Sequence, residues 1–245
     1  MKFAITGEHR SFFNKHQAIE LEGLCTEEQL KTLNAATDVA LAQKLNLKFR
    51  NLIDQIPATM FAIGRDLWRS NDVLKRFVTQ TSFANVASEI MEQRVLRFGY
   101  SQLFPAISNG FDGEENAYSK FLSSNYTLEQ ASCIQGIQCG LMLCLSGENQ
   151  ESVIPITNFD VSGFPSNINV FSAKPGNGFF FTPQVTIDWK QLFSHLKQRY
   201  LLIVYTQATS VYVYKEFDPQ GNQMKECGYC FGDKLLDKWN PIVHR

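Results

Sequence analysis

The chain has 245 residues, with 23 Lys plus Arg against 24 Asp plus Glu and a formal net charge of −1. That balance excludes a surface held to a phosphate backbone or an anionic lipid by excess charge, so nucleic-acid binding is disfavoured and no membrane partner is expected. An apolar fraction of 44% with 19% charged residues excludes a disordered polymer, and 13% aromatic residues lean toward sheet-rich interiors.

No repeat, low-complexity tract or linker interrupts the chain, so one domain is expected over 1–245, helix-rich over about 1–94 and β-rich over about 95–245. The opening MKFAITGEHRSFF lacks the hydrophobic region of a signal peptide, and no apolar run reaches membrane-spanning length. Thr26, Glu27, Glu28 and Gln29 form a capping box, in which the Thr hydroxyl and the Gln side chain satisfy amides of the first turn. Behind it Leu30, Leu33, Thr37, Ala40 and Leu41 recur at helical spacing. Pro57 interrupts the pattern. Asn71 then caps a helix carrying Val73, Leu74, Phe77 and Val78, and Ser82 is expected to cap a third with Phe83, Val86, Ala87, Ile90 and Met91.

From Val95 the texture changes to short apolar runs punctuated by Gly, Pro, Asn and Asp, the pattern of strands and turns. The candidate strands are 95–104, 133–145, 169–173, 178–182, 200–206 and 210–217, with turns at Lys174 to Gly178 and, between two strands, at Asp218 to Asn222. Strands following a helical section imply an α+β fold, an antiparallel sandwich or barrel with helices against one face.

Two stretches carry a resemblance. The segment FFNKHQAIELEGLCTEEQLKTL at 12–33 resembles the opening of phytanoyl-CoA dioxygenase-like proteins, where a short strand precedes an N-capped helix. The segment AKPGNGFFFTPQVTIDW at 173–189, followed by QRYLLIVYT at 198–206, looks like their penultimate strands. The resemblance implies a double-stranded β-helix, a cupin-like jelly roll buttressed by the N-terminal helices. It also implies that Fe(II) is held by a His-x-Asp pair and a later His, with 2-oxoglutarate salt-bridged to an Arg. Imidazole and carboxylate hold ferrous iron facially and leave positions open for oxo acid and oxygen.

Carried over residue by residue, the resemblance sets Arg199 at the oxo-acid Arg and Asp188 near the second His, and it sets the first pair on 133–145, whose polar candidates are Gln135 and Gln138. None of the four histidines, His9, His16, His195 and His244, is followed by x-Asp. Asp188 with Gln191 also reads as a helix cap, Arg199 as a strand-end ion pair, and His195 as a surface helix residue. On one helix Asp188 and His195 would stand more than about 10 Å apart, too far to share one metal. The expectation is a degenerate oxygenase-like chain, a binding or regulatory protein for a small carboxylate or a protein partner, with no metal or cofactor expected. An active enzyme with Asp188, His195 and the glutamines in an atypical site would require Fe(II) and 2-oxoglutarate. A metal-responsive transcriptional regulator is the third reading, opposed by the neutral charge and the lack of a basic recognition helix.

The six cysteines are too sparse for a secreted disulfide scaffold, which favours a reducing, cytoplasmic setting. Cys133, Cys139 and Cys144 read as small core residues of a strand. Cys227 and Cys230 form a CxxC pair without a second ligand pair for zinc and without a thioredoxin-type strand and helix around it, so a buried or incidental role is preferred. Arg65, Arg69, Lys75 and Arg76, interspersed with Asp66 and Asp72, read as a mixed-charge surface, and Asp112 to Glu115 as a solvated turn. No phosphate-binding glycine loop and no GxSxG elbow occurs, which disfavours nucleotide hydrolysis and that class of hydrolase.

Overall fold

The computed structural model describes residues 3–48, 52, 56–106, 117–122, 126–147, 153–157, 167–172, 174–187, 189 and 198–245. Helix α1 (Gly7–His16) leads to strand β1 (Ala18–Leu21) and to α2 (Glu27–Leu45). The capping box at α2 forms as expected: the Gln29 N–H donates to Thr26 Oγ1 (3.2 Å) and the Thr26 N–H to Gln29 Oε1 (2.9 Å). Pro57 opens a helix, α3 (Pro57–Ile63), because its missing N–H costs nothing in a first turn. A 3-10 turn at Leu67–Ser70 precedes α4 (Asp72–Val78), whose N-cap is Asn71, accepting from the Val73 and Leu74 amides at 3.0 and 3.1 Å. Helix α5 (Thr81–Met91) has Gln80 at its N-cap, so Ser82 lies inside the helix.

Strand β2 (Leu96–Phe104) begins the sheet-rich part, followed by α6 (Ala117–Leu122), β3 (Ile134–Ser146), β4 (Val153–Thr157), β5 (Asn167–Ser172), β6 (Gly178–Phe181), β7 (Arg199–Tyr212), α7 (Gly221–Glu226) and β8 (Ile242–His244). The stretches 200–206 and 210–212, expected as parts of two strands, belong to one long strand, which pairs with β3 from Arg199 opposite Ser146 to Thr206 opposite Ile137 and, past an irregularity, again at Val211 and Tyr212. The turn at Asp218 leads into α7 and not into another strand.

Six strands form one antiparallel, curled sheet in the order β1-β6-β3-β7-β2-β8, and β4 pairs with β5 separately. Alternate residues divide between two cores. Leu141, Leu143, Phe180, Leu201, Ile203 and Tyr205 meet the helices through Leu33, Leu41, Leu74, Phe83 and Ile90. Met142, Cys144, Phe179, Phe181, Leu202 and Val204 face a second, aromatic core. Because both faces are covered, β2 is buried along its whole length, its polar residues Arg97, Ser101 and Gln102 included.

A bulge at Gly99 sets the polarity of β2. Phe98 pairs with Tyr205 and Tyr100 with Val204, so the two residues, which regular alternation would put on one face, fall in different cores. A Cβ at Gly99 would stand 2.8 Å from Thr206 Cγ2 and 3.0 Å from the Val204 carbonyl oxygen. Downstream of the bulge, Tyr100 and Phe104 look into the aromatic core.

Candidate functional site

The chain enters this face through two charged residues, where the sequence pattern suggested solvated surface. Arg65 and Asp66 are 5% and 2% exposed, which corrects that expectation. The cause is a backbone hook: Arg65 bridges to Gln102, the Asp66 N–H donates to the Ser101 carbonyl at 2.9 Å, and the Ser101 N–H donates to Asp66 Oδ1 at 2.8 Å. Asp66 takes the left-handed conformation (φ 50°), which a short polar side chain tolerates. Its carboxylate also accepts from Trp68 Nε1 (3.1 Å) and Arg69 Nη2 (2.8 Å). Buried charge is thereby matched with donors.

The Arg65 guanidinium carbon lies 3.4 Å from the centroid of the Tyr100 ring, and Nη2 stands 3.3 Å from Asp218 Oδ2. The Asp218 carboxylate also accepts the Cys133 N–H at 2.7 Å and the Gln220 N–H at 2.8 Å. Burial opposes the charge on Arg65, but Asp218, Tyr100 and Asp66 outweigh it and hold its pKa above the ordinary value. Burial pushes the Tyr100 phenol up to about 12, with Arg65 pulling the other way, and its hydroxyl is hydrogen-bonded to Ser132 Oγ. Gln102 Nε2 donates to the Phe61 and Leu103 carbonyls at 2.9 and 3.0 Å, while its buried Oε1 has no hydrogen-bond partner among the described residues.

These groups line a cavity of about 10 Å³ together with Phe61, Phe104, Phe121, Leu202 and Pro219. That is space for about one water, whereas sites for small organic ligands run to about 300–1,000 Å³. Aromatic rings occupy the rest: Phe104 stacks on Trp189 (centroids 5.6 Å, 11°), Phe61 on Tyr118 (4.6 Å, 29°), and Phe121 meets Trp189 at 5.0 Å. Phe121 comes from the chain between β2 and β3, and Trp189 from the chain between β6 and β7. The same two connections are joined by a bridge between Thr127 and Thr186. Pro219 also lines an outer cleft of about 380 Å³ with Lys44, Ile63, Gln220, Gln223 and Glu226.

The residues singled out in the sequence lie elsewhere. Arg199, at the start of β7, donates from Nη2 to Asp38 Oδ1 (2.6 Å) and from Nη1 to Asn34 Oδ1 (3.3 Å), both on α2. Gln135 is exposed opposite Val211, and Gln138 is half-buried at a register shift between Ile137 and Cys139. Ser146, opposite Arg199, is the far end of β3, so Gln138 and Arg199 are separated by roughly 25 Å along the strand. Asp188 and His195 lie outside the described residues. His9 caps α1, His16 stacks on Phe12, and His244 bonds Asn85 Oδ1 at 2.7 Å. Among the described residues no group of three or more His, Cys, Asp or Glu is placed to hold a metal ion. The buried polar pair against the aromatic core is a guanidinium and a carboxylate, Arg65 and Asp218.

The functional-site candidates that sequence reasoning missed are Arg65, Asp66, Tyr100, Gln102 and Asp218. One signal was present. Arg65 and Asp66 interrupt an otherwise apolar stretch between Phe61 and Trp68, where a charged pair needs buried partners.

Comparison with solved structures gives the fold a context. The non-heme alpha ketoglutarate-dependent epimerase SnoN from nogalamycin biosynthesis superposes with a TM-score of 0.65 at 12% identity, covering 97% of this chain and 95% of its own. The non-heme alpha ketoglutarate-dependent carbocyclase SnoK from the same biosynthesis gives 0.62 at 12% identity, covering 98% and 96%. A non-heme monooxygenase, ThoJ, gives 0.54 at 8% identity, covering 84% and 80%. At these identities the likeness is one of fold: a curled antiparallel sheet with helices, similar to Fe(II)/2-oxoglutarate oxygenase folds. No family model and no curated protein matches the chain.

Proposed function

We propose that this chain is a non-catalytic, phytanoyl-CoA dioxygenase-like relative of the Fe(II)/2-oxoglutarate oxygenases, a single cytoplasmic domain that binds a partner protein and does not turn over an oxo acid. In this reading β4 and β5 belong to the second sheet of a jelly roll. One observation carries it: the inner face of the sheet is packed with aromatic rings, and its buried guanidinium, Arg65, already faces the carboxylate of Asp218. A dicarboxylate entering there would have to displace both a ring and a paired charge. Arg199, the alternative anchor, is engaged by Asp38. A protein partner is therefore favoured over a small carboxylate. Among the described residues no helix is long and apolar enough to cross a membrane.

The test is incubation of the reduced chain with Fe(II), ascorbate and labelled 2-oxoglutarate. The expected release of carbon dioxide equals that of a buffer control, and 2-oxoglutarate leaves the melting temperature unchanged. Sustained decarboxylation, together with metal that is retained on anaerobic purification and lost in Asp188→Ala, would overturn the proposal in favour of an atypical iron enzyme. A salt-dependent shift of promoter DNA would overturn it in favour of a transcriptional regulator.

A further inference from the structure

Cys227 packs against the edge of the aromatic core, and exposure separates the CxxC pair from the other cysteines. Burial pushes the thiols of Cys25, Cys139 and Cys144 up to about 12 and that of Cys133 to about 11, so these sulfurs are inert at neutral pH. Cys227 is half-buried and Cys230 exposed, and both are free thiols. Arg69 Nη1 donates a hydrogen bond to Cys227 Sγ, while its Nη2 holds Asp66. Arg69 Nε is buried and has no hydrogen-bond partner among the described residues. The same guanidinium lies 5.2 Å from the centroid of Trp239, over which Lys238 Nζ stands at 4.4 Å. Cys227 follows the last residue of α7, and Arg69 is the cation in hydrogen-bond contact with its sulfur.

The backbone around the pair is anchored. Gly228 takes a left-handed turn (φ 87°). Tyr229 is buried, with its hydroxyl donating to Asn240 Oδ1 (2.8 Å) and accepting the Leu236 N–H (2.7 Å). The Cys230 N–H donates to Asp233 Oδ2 at 2.7 Å.

We propose that Cys227 is a hydroperoxide-reactive thiol, activated by Arg69 and resolved by Cys230. The Cys227 thiolate attacks one peroxide oxygen; the S–O bond forms, the O–O bond breaks, and the departing oxygen leaves as water or an alcohol after taking a proton from solvent. Sulfur is oxidised to the sulfenic acid and the peroxide is reduced. The Cys230 thiolate then attacks the sulfenic sulfur, forming the disulfide as hydroxide leaves and is protonated to water. Oxidation removes the acceptor that Arg69 uses at Cys227.

The reduced full-length chain is treated with equimolar hydrogen peroxide at neutral pH and mapped by mass spectrometry without reduction. The expected product is a Cys227–Cys230 cross-link, with the four buried cysteines unmodified. In Cys230→Ser, dimedone should label Cys227 as the sulfenic acid. Arg69→Met should slow oxidation of Cys227 about tenfold, the loss of one charge-assisted hydrogen bond, without changing the alkylation rate of Cys230. Absence of both the cross-link and the dimedone adduct overturns the proposal, as does an unchanged Cys227 rate in Arg69→Met. If Arg69→Met loses its near-ultraviolet circular dichroism, the dimedone result in Cys230→Ser decides alone.

Discussion

Replacing Asp218 by Ala removes the charge partner of a guanidinium whose side chain is 6% exposed, from a carboxylate that is itself fully buried. Leaving one half of a buried ion pair unpaired costs about 3–5 kcal/mol. The Cys133 and Gln220 amides lose their acceptor in the same change, which places the effect at the upper end. For a chain of this size each kcal/mol lowers the midpoint by about 2–4 °C, so a fall of roughly 10–20 °C is expected. Urea unfolding followed by tryptophan fluorescence gives the free energy, and the double variant Arg65→Met with Asp218→Asn isolates the pair. Removing both charges should restore most of the loss, with a coupling of about 2–3 kcal/mol. Excess formate should also raise the midpoint of Asp218→Ala, because it returns a carboxylate to Arg65, and should leave the parent chain unmoved. A loss below about 1 kcal/mol in the single variant, or additivity in the double one, would refute the assignment of Arg65 as a structurally neutralised charge.

Three further outcomes follow from the same packing. The folded state holds the protons of Cys25, Cys139 and Cys144 to about 12 against 9.0, and that of Tyr100 to about 12 against 10.0, so this contribution is complete below pH 9.0 and disappears as pH rises toward 12; urea midpoints should decline steadily across that window, and a flat profile would contradict it. Arg199→Ala should cost no more than about 1 kcal/mol in urea unfolding, since its pair with Asp38 is partly exposed; a loss above about 2 kcal/mol would contradict that reading of the pair. Phe121→Ala should destabilise by about 3–5 kcal/mol and open a dry cavity beside Trp189 and Phe104, detectable as a benzene-induced rise in melting temperature that the parent lacks.

Local signals in the sequence were reliable where they were chemical. Thr26 with Gln29 and Asn71 cap the helices they were expected to cap, because a side chain that satisfies a free amide acts within one turn. Ser82 failed because the chain enters α5 two residues earlier, with Gln80 at the N-cap and no side-chain capping bond. The break expected between 206 and 210 is a register irregularity inside one strand: β3 pairs with β7 up to Thr206 and again at Val211 and Tyr212, a long-range fact that composition cannot carry. Arg199 was found as a strand-end residue, but its partner Asp38 is distant in sequence. The pair Arg65 and Asp218 was missed for the same reason, and because charge in a sequence is read as exposure until a buried counter-charge is known. Asp188 and His195 fall outside the described residues, so the structure adds nothing to their reading.

The aromatic face also explains why an oxygenase-like sheet need not bind an oxo acid. Phe104, Phe121, Trp189 and Phe61 form one contact series across it. Admitting a dicarboxylate requires at least one ring to leave, and removing a packed Phe or Trp costs about 3–5 kcal/mol. A ligand held at millimolar affinity in a preformed pocket contributes about 4 kcal/mol. The two nearly cancel, before any cost of separating Arg65 from Asp218, so net affinity falls to the molar range. The same rings anchor the chain between β2 and β3 to the chain between β6 and β7, which Thr127 and Thr186 already bridge. Filling the interior thus stabilises the sheet with the same rings that a dicarboxylate would have to displace.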